Sequence, residues 1–414
     1  MKSMNIIKLI KLMKKHIFSF TLMLCITQGI NAQLISLDSG QHGIKGSLCF
    51  ANDKLYLATN QGICMYTLDN LLESEICEYE FLSMTTDAVV DFEVHSDTVI
   101  ALTKSGVYYS IDGGKTSTCI SVDVIVPGWK ENPYYNGETS LGQISLKKLA
   151  VHPSDARKFY VAYKGLSYTE DGGCTWTTVD DFGGHLIEGL FYNTLDGNNL
   201  IAYTHTVKGI TFDNGAYVYV STNSASEWKL VKGYNTGNIN TLKHIAFHPT
   251  EPNKVMMCGA DIYALSENQG LTWQVIVSES SSPDDINPLV YLDYMIYDSR
   301  NPDILYGADM IASYEQEEKV RILRSVDGGL SWKTFYTIEN TAFVRSMSML
   351  DNLLAITTGN NGIYLLDVDA VDTSISTVEN APHAVNIHYD LLGRPVAHPT
   401  RGIYIKDGKK VAIK

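Results

Sequence analysis

The 414-residue sequence predicts an all-β chain folded as a single β-propeller, and two observations carry that expectation. The first is an internal repeat with the spacing S/T-x-D/N-x-G-x-x-W. Thr169, Asp171, Gly173 and Trp176 fit it fully, as do Ser325, Asp327, Gly329 and Trp332. Ser266, Asn268, Gly270 and Trp273 fit with Asn for Asp. Ser110, Asp112 and Gly114 fit with Ser117 in the Trp place, and Ser221, Asn223 and Trp228 fit with Ala225 in the Gly place. Successive starts lie 45 to 59 residues apart, the length of a four-stranded propeller blade. The second observation is composition: 32 Gly and 25 Tyr in a chain that is 45% hydrophobic suit a large core crossed by many tight turns.

Each copy reads as a turn between two antiparallel strands. Asp-Gly-Gly tolerates positive φ, the Ser or Asp oxygen can accept from nearby backbone N–H groups, and the Trp anchors the returning strand. Around each turn the apolar runs repeat. In order, the strands expected are Leu48 to Thr59 with Gly62 to Leu68, then Val89 to His95, Thr98 to Thr103 and Gly106 to Ser110, then Leu146 to His152, Phe159 to Tyr163 and Gly165 to Tyr168. A looser blade covers Leu186 to Trp228; the next two contain Leu242 to His248 with Val255 to Cys258, and Val290 to Tyr297 with Ile304 to Tyr306. The last has Val344 to Leu350, Leu353 to Thr357 and Gly362 to Leu366 without the turn. The count is seven blades, within a range of six to eight. A strand around Ile35 is expected to join the last blade and close the ring, which removes the exposed edges.

These residues resemble Asp-box (BNR) repeats, which occur in sialidases, sortilin-type receptor domains and some endoglucanases. The resemblance covers roughly residues 43–372. It implies a turn between the third and fourth strands of a blade, structural in role and away from the ligand face. Sialidases of this family use three arginines, one in an early Phe/Tyr-Arg-Ile-Pro motif; here no Arg precedes Arg157 and the motif is absent. Arg321 and Arg324 adjoin a repeat and are expected on its face of the ring. Sortilin-type domains carry a Cys-rich module that is missing here, and two-propeller endoglucanases are about twice as long.

The ends differ from the propeller region 33–372. Lys2, Lys8, Lys11, Lys14 and Lys15 precede an apolar run from Ile17 to Ile26, and Ala32 offers a cleavage point, so residues 1–32 read as a signal peptide. That run is too short to span a bilayer in the mature chain. Residues 373–384 form a polar linker. Residues 385–414 suggest three short strands, and their Asp390…Gly393-Arg394, Gly402-Ile403-Tyr404 and Gly408-Lys409-Lys410 resemble the C-terminal sorting tail of type IX secretion substrates. The resemblance implies export to the periplasm, surface or medium of a Gram-negative bacterium, with the secretion machinery as a partner. The formal charge of −14 argues against nucleic acid or anionic membranes as partners.

Six cysteines follow the leader: Cys49, Cys64, Cys77, Cys119, Cys174 and Cys258. They show no metal spacing; Cys64 and Cys77 flank a hairpin-length segment and pair across it or stay as small buried residues. Asp367 to Asp372 lacks the Gly of a calcium loop. No phosphate loop or Ser/His/Asp motif appears, so neither metal nor cofactor is expected.

With the repeated turns on one face, the blade-to-blade connections occupy the other. The longest, Val124 to Ser145, holds Trp129, Tyr134 and Tyr135, aromatics suited to stacking on a sugar or a partner. Aligning the innermost strands on their ends puts Ser47, Asp91, Lys148, Glu188, His244, Asp293 and Ser346 in one channel-facing column, with Leu48, Phe92, Leu149, Ile245, Tyr294 and Met347 packed between blades. Lys148 and His244 join the aromatics as candidate ligand contacts. Asp91, Glu188 and Asp293 are candidate carboxylates for glycoside hydrolysis, one as acid and one as base. The leading expectation is a monomeric, non-catalytic scaffold binding glycan or protein. A glycoside hydrolase and a cell-envelope assembly factor are the alternatives.

Overall fold

The computed structural model describes residues 34–37, 44–68, 79–125, 148–162, 166–179, 182, 186–205, 216–231, 242–259, 262–276, 292–309, 319–341, 343–359, 362–369, 388–389, 395–396, 402–406 and 409–413. The chain divides into two compact units, Ala32–Val371 and a terminal unit that includes Asp372–Lys414. The leader, the linker and the aromatic-rich connection with Trp129, Tyr134 and Tyr135 lie outside the described residues.

The first unit is a seven-bladed propeller. Seven antiparallel four-stranded sheets follow one another, and their first strands lie side by side around the ring. These innermost strands are Ile44–Ala51, Val89–His95, Lys148–Val151, Leu186–Tyr192, Leu242–Phe247, Leu292–Tyr297 and Val344–Leu350. Six blades take all four strands in chain order. The seventh takes its outermost strand from the start of the chain: Leu34–Leu37 pairs with Ile363–Asp367, Leu34 opposite Leu366 and Leu37 opposite Ile363. The ring therefore closes through hydrogen bonds between its two ends, as the run around Ile35 led us to expect.

The core lies between blades rather than within one. A buried cluster joins Ile100 and Leu102 of blade two to Leu149, Phe159 and Val161 of blade three; another joins Met256 and Tyr263 of blade five to Leu305 and Trp332 of blade six. The second strands are almost continuously apolar because both of their faces are covered. Among the described residues no helix is long and apolar enough to cross a membrane.

The repeated turn is the same device five times. In blade six the Ser325 hydroxyl donates to Asp327 (2.7 Å) and accepts from Gly329 N (2.9 Å), while Asp327 accepts from Ser331 N (2.9 Å) and Ser331 Oγ (2.6 Å). Thr169 and Asp171, and Ser110 and Asp112, make the same set. Asn268 and Asn223 replace the carboxylate with an amide oxygen that still accepts from Thr272 N and Glu227 N. The last glycine of the turn lies against the preceding blade: a Cβ on Gly173 would stand 2.2 Å from Ile120 Cδ1, and one on Gly329 2.5 Å from Tyr263 Oη. Each turn thus seals one blade onto the previous one.

In the terminal unit four strands form one sheet, in the order Pro395–Val396, His388–Tyr389, Gly402–Lys406, Lys409–Ile413. The sequence suggested three. The apolar run that begins near Ile387 folds back on itself, because Tyr389 pairs with Pro395 across the Asp390 to Arg394 segment.

Candidate functional site

Two faces of the propeller are chemically distinct. On one, the repeated turns are tied to the first hairpin of their own blade: Gly113 N to Asp97 O (2.8 Å), Gly172 N to Arg157 O (2.9 Å), Ser224 N to Asn198 O (2.9 Å), Gln269 N to Asn253 O (2.8 Å) and Gly328 N to Asp303 O (2.9 Å). His152 and His248 belong to this face as well. Each accepts backbone N–H groups at Nδ1 and sets its ring edge-on to a tyrosine of the next blade, Tyr192 or Tyr297. That face is closed by its own hydrogen bonds. The described strand ends that lead from one blade to the next lie on the other.

The pairing register places the channel residues and corrects the alignment read from sequence. Val94, Val151 and Phe247 are equivalent, as expected, but their partners in blades four and six are Tyr192 and Tyr297 rather than Phe191 and Ile296. Asn193 and Asp298 occupy the turn position held elsewhere by His152 and His248, which disguised the shift. A one-residue slip exchanges the two faces of a strand. The channel column accordingly reads Ser47, Asp91, Lys148, Gly189, His244, Tyr294 and Ser346. The column packed between blades reads Leu48, Phe92, Leu149, Leu190, Ile245, Met295 and Met347, all buried.

Glu188 and Asp293 therefore leave the Asp91 column. They occupy a β-bulge. In six blades the innermost strand slips register near its connection-side end, and in blades two, four, five, six and seven one extra residue stands there: Val90, Glu188, Lys243, Asp293 and Arg345. Bulges re-aim a side chain and recur at functional rims. Blades four to seven thus present an acid, a base, an acid and a base.

Within the channel, Asp91 is tied up. It accepts from the Ser47 hydroxyl, from Leu149 N (3.0 Å) and from Phe92 N (3.2 Å), bridging blades one, two and three. Two residues below it, Glu93 faces the same lumen and lies 3.9 Å from His95 Nε2. Enclosure by the ring, then the charge of Asp91, pushes its carboxyl up to about 8, although the side chain keeps 42% of its accessible surface toward water in the channel. His244 stacks on Tyr294 with ring centroids 3.8 Å apart and meets Phe191 edge-on at 5.2 Å. Burial, then Lys148, pulls the imidazole down to about 3, so His244 is neutral, and its Nδ1 has no partner among the described residues. Blades four to six line the channel with rings; blades seven, one and two line it with hydroxyls and acids.

Blade six carries a second acidic centre that the repeat did not reveal. Asp309 ends the second strand opposite Leu292 and Arg321. It is 3% exposed and pairs with Arg321 through Oδ2. Burial pushes its carboxyl up to about 6 against the pull of Arg321. Asp293 also rises to about 6, first by burial, opposed by Lys243 and reinforced by Asp309. Arg321 is thus near the connection face; only Arg324 belongs with the turn, a distinction that nearness in sequence obscured.

Sequence reasoning missed Glu93, Lys243, Asp309 and Arg345. The first was legible, because strand alternation puts it on the face of Asp91; the bulged positions were not, because a bulge leaves no period in the sequence. Among the described residues Cys49, Cys64, Cys119, Cys174 and Cys258 are free, and no group of three or more His, Cys, Asp or Glu is placed to hold a metal. Cys77 lies outside the described residues.

No family model and no curated protein matches the chain. Solved structures do resemble it in fold. The GH74 xyloglucanase from Xanthomonas campestris superposes with a TM-score of 0.54 at 15% identity, over 81% of this chain and 53% of that one. An ancestral GH74 enzyme gives 0.50 at 16% identity, over 67% of this chain and 36% of its own. YCF48 bound to D1 peptide gives 0.52 at 13% identity, over 81% of this chain and 96% of its own. The chain thus spans about a third to a half of those two GH74 structures and nearly the whole of YCF48. At these identities the likeness is one of fold.

Proposed function

We propose that the protein is an exported, non-catalytic binding propeller whose connection face, around the bulged rim of blades four to seven, takes a glycan or protein ligand. The observation that carries this reading is the engagement of Asp91. Asp91 accepts a hydroxyl and a backbone N–H at Oδ1 and a second backbone N–H at Oδ2, a structural task that holds three blades together and leaves one acceptor position of its carboxylate for anything else. Glu188 and Asp293 stand on bulges out of its column, so the three acids do not form one ring. YCF48, a propeller of similar extent bound to a peptide, supports the reading by analogy of fold alone. In this reading residues 1–32 are removed on export and residues 385–414 serve sorting; the mass of the secreted protein tests the first, and secretion of a chain ending at residue 384 the second.

A hydrolase reading is favoured by two acids in blade six, Asp309, buried and paired with Arg321, and Asp293 on the bulge, both raised by burial. Screening the exported protein on glycan arrays, soluble polysaccharides and envelope extracts separates the two. Saturable binding with no product release is expected, with binding kept in an Asp91→Asn variant of lowered melting temperature. Turnover that disappears in Asp293→Asn would establish the hydrolase instead.

A further inference from the structure

We propose that Arg300 is a latch that fastens blade seven to blade six and holds shut the seam where the ring closes, in place of the repeated turn that blade seven lacks. Blade seven draws its fourth strand from the start of the chain, so no turn links its third strand, Ile363–Asp367, to its fourth, Leu34–Leu37. Leu34 stands opposite Leu366, so the chain enters and leaves blade seven at the same end. That end is the turn side, because Val368 N donates to Asn352 O (2.9 Å) in the first hairpin of its own blade, the tie that Gly328 makes in blade six. The propeller thus begins and ends on the face away from the rim proposed to bind ligand.

Arg300 lies in the first hairpin of blade six and holds two carboxylates. Its Nε and Nη2 donate to the two oxygens of Asp298 (3.2 and 3.0 Å), and its Nη1 donates to Asp369 Oδ2 (2.8 Å) in blade seven. The Asp298 side chain is 1% exposed, that of Arg300 36% and that of Asp369 61%. The inner pair is therefore the fixed hinge and the outer contact is the catch. Burial works to raise the Asp298 carboxyl, yet the Arg300 hydrogen bonds hold it below the usual carboxylate range. Asp298 and then Asp369 hold the guanidinium above its ordinary value. A two-pronged fork onto a buried carboxylate fixes the direction of the remaining N–H groups, which is what a catch requires.

The same place in other blades also reaches forward to the next one. His152 and His248 set their rings against Tyr192 and Tyr297, and Asn193 donates to Pro252 O (2.8 Å). Blade six alone makes this reach with an ion pair, and it does so toward the blade that has no turn to press back. Asp369 N donates to Asp367 Oδ1 (3.0 Å), so the residue that is caught is tied to the end of the strand on which Leu34–Leu37 lies. The acidic run from Asp367, which does not form a calcium loop, has this task instead. The ladder at the seam is only four residue pairs long, so fraying at Leu366 releases the start of the closing strand.

Hydrogen exchange of the full chain, read by mass spectrometry on peptides that cover 34–37 and 363–367, tests the latch. Asp369→Asn keeps the buried Asp298–Arg300 pair and should speed exchange in those peptides about two- to fivefold, the worth of one exposed ion pair. Arg300→Gln also strands the Asp298 charge and should speed it about tenfold or more. Salt at about 1 M should reproduce the Asp369→Asn effect in the parent protein, because the outer contact is open to screening. Peptides covering 166–179 in blade three should be unchanged by either variant. Equal acceleration around the whole ring would make Arg300 a general stabiliser and overturn the latch. Seam peptides untouched in Asp369→Asn and at high salt would overturn it too, assigning Arg300 to Asp298 alone; this arm stands even where Arg300→Gln does not fold.

Discussion

The two faces of the ring are built on opposite plans. On the turn face, five blades repeat one constellation of hydrogen bonds, even where Asn replaces Asp or Ala replaces Gly. On the connection face, no two of the bulged residues in blades four to seven are the same residue type. The turns do the same job in each of these five blades, sealing it to its neighbour, so they stay alike. On the proposed function the rim meets the ligand, and its bulged residues differ from blade to blade. The repeat that makes the fold recognisable therefore marks the face opposite the one proposed to bind ligand.

Substitutions on the turn face should accordingly cost stability and spare binding. The largest effect is expected for Trp332→Ala. Trp332 is fully buried between blades five and six, and its Nε1 donates to Tyr263 Oη (3.1 Å), which itself donates to Gly329 O (2.7 Å). Truncation should cost about 3–5 kcal/mol in urea unfolding. Asp327→Ala leaves the Ser331 N–H without its acceptor at an exposed site and should cost about 1–2 kcal/mol, in the manner of a lost helix cap. Loss of ligand binding in a folded Asp327→Ala protein of unchanged melting temperature would place the functional face on the wrong side.

Inside the channel the comparison becomes one of pH. Glu93 has a folded-state value of about 8, above its unfolded value near 4.3. The folded state therefore holds this proton more tightly than the unfolded chain. The resulting contribution is fully present below the unfolded value and is lost as pH rises through about 8. Glu93→Gln should remove that slope, so the variant gains on the parent between about pH 5 and 8 and keeps its lead above. Parallel denaturation curves across that range would show that Glu93 is already ionised in the folded protein.

Much of this architecture was legible in the sequence, and for a physical reason. A turn that needs a capping hydroxyl, a carboxylate or amide, a positive-φ residue and an aromatic anchor at fixed spacing leaves a signature that survives substitution. Seven blades and the closure at Ile35 follow from that signature together with the period-2 runs. The rim was less legible. Glu188 and Asp293 were singled out, but strand-end alignment placed them in the wrong column, because Asn193 and Asp298 take the turn position that His holds elsewhere. Arg345 and Lys243 follow apolar residues in unremarkable strands; only the bulge turns them toward the rim.

The smallest effect tests how strict the turn face is. Blade four puts Ala225 where the other turns have Gly, at φ 62°, and its backbone N–H still donates to Ser221 Oγ (2.9 Å). At the equivalent Gly270 a Cβ would lie 2.7 Å from Ile201 Cδ1 of the preceding blade, but Ala225 is 3% exposed within a cluster that includes Tyr160 and Phe182. Its methyl group has a seat that the other blades fill. Ala225→Gly should relieve about 1 kcal/mol of left-handed strain and lose about 0.8 kcal/mol of methyl burial. The expected net change in urea unfolding is within about 0.5 kcal/mol, with binding unchanged. A gain well above that would mean the methyl is poorly seated and blade four's loose match to the repeat reflects strain. A comparable loss would mean that the Gly slot seals blades by volume as well as by backbone geometry, and that Ile120, Ile201 and Tyr263 supply from the neighbouring blade the volume that Ala225 supplies from its own.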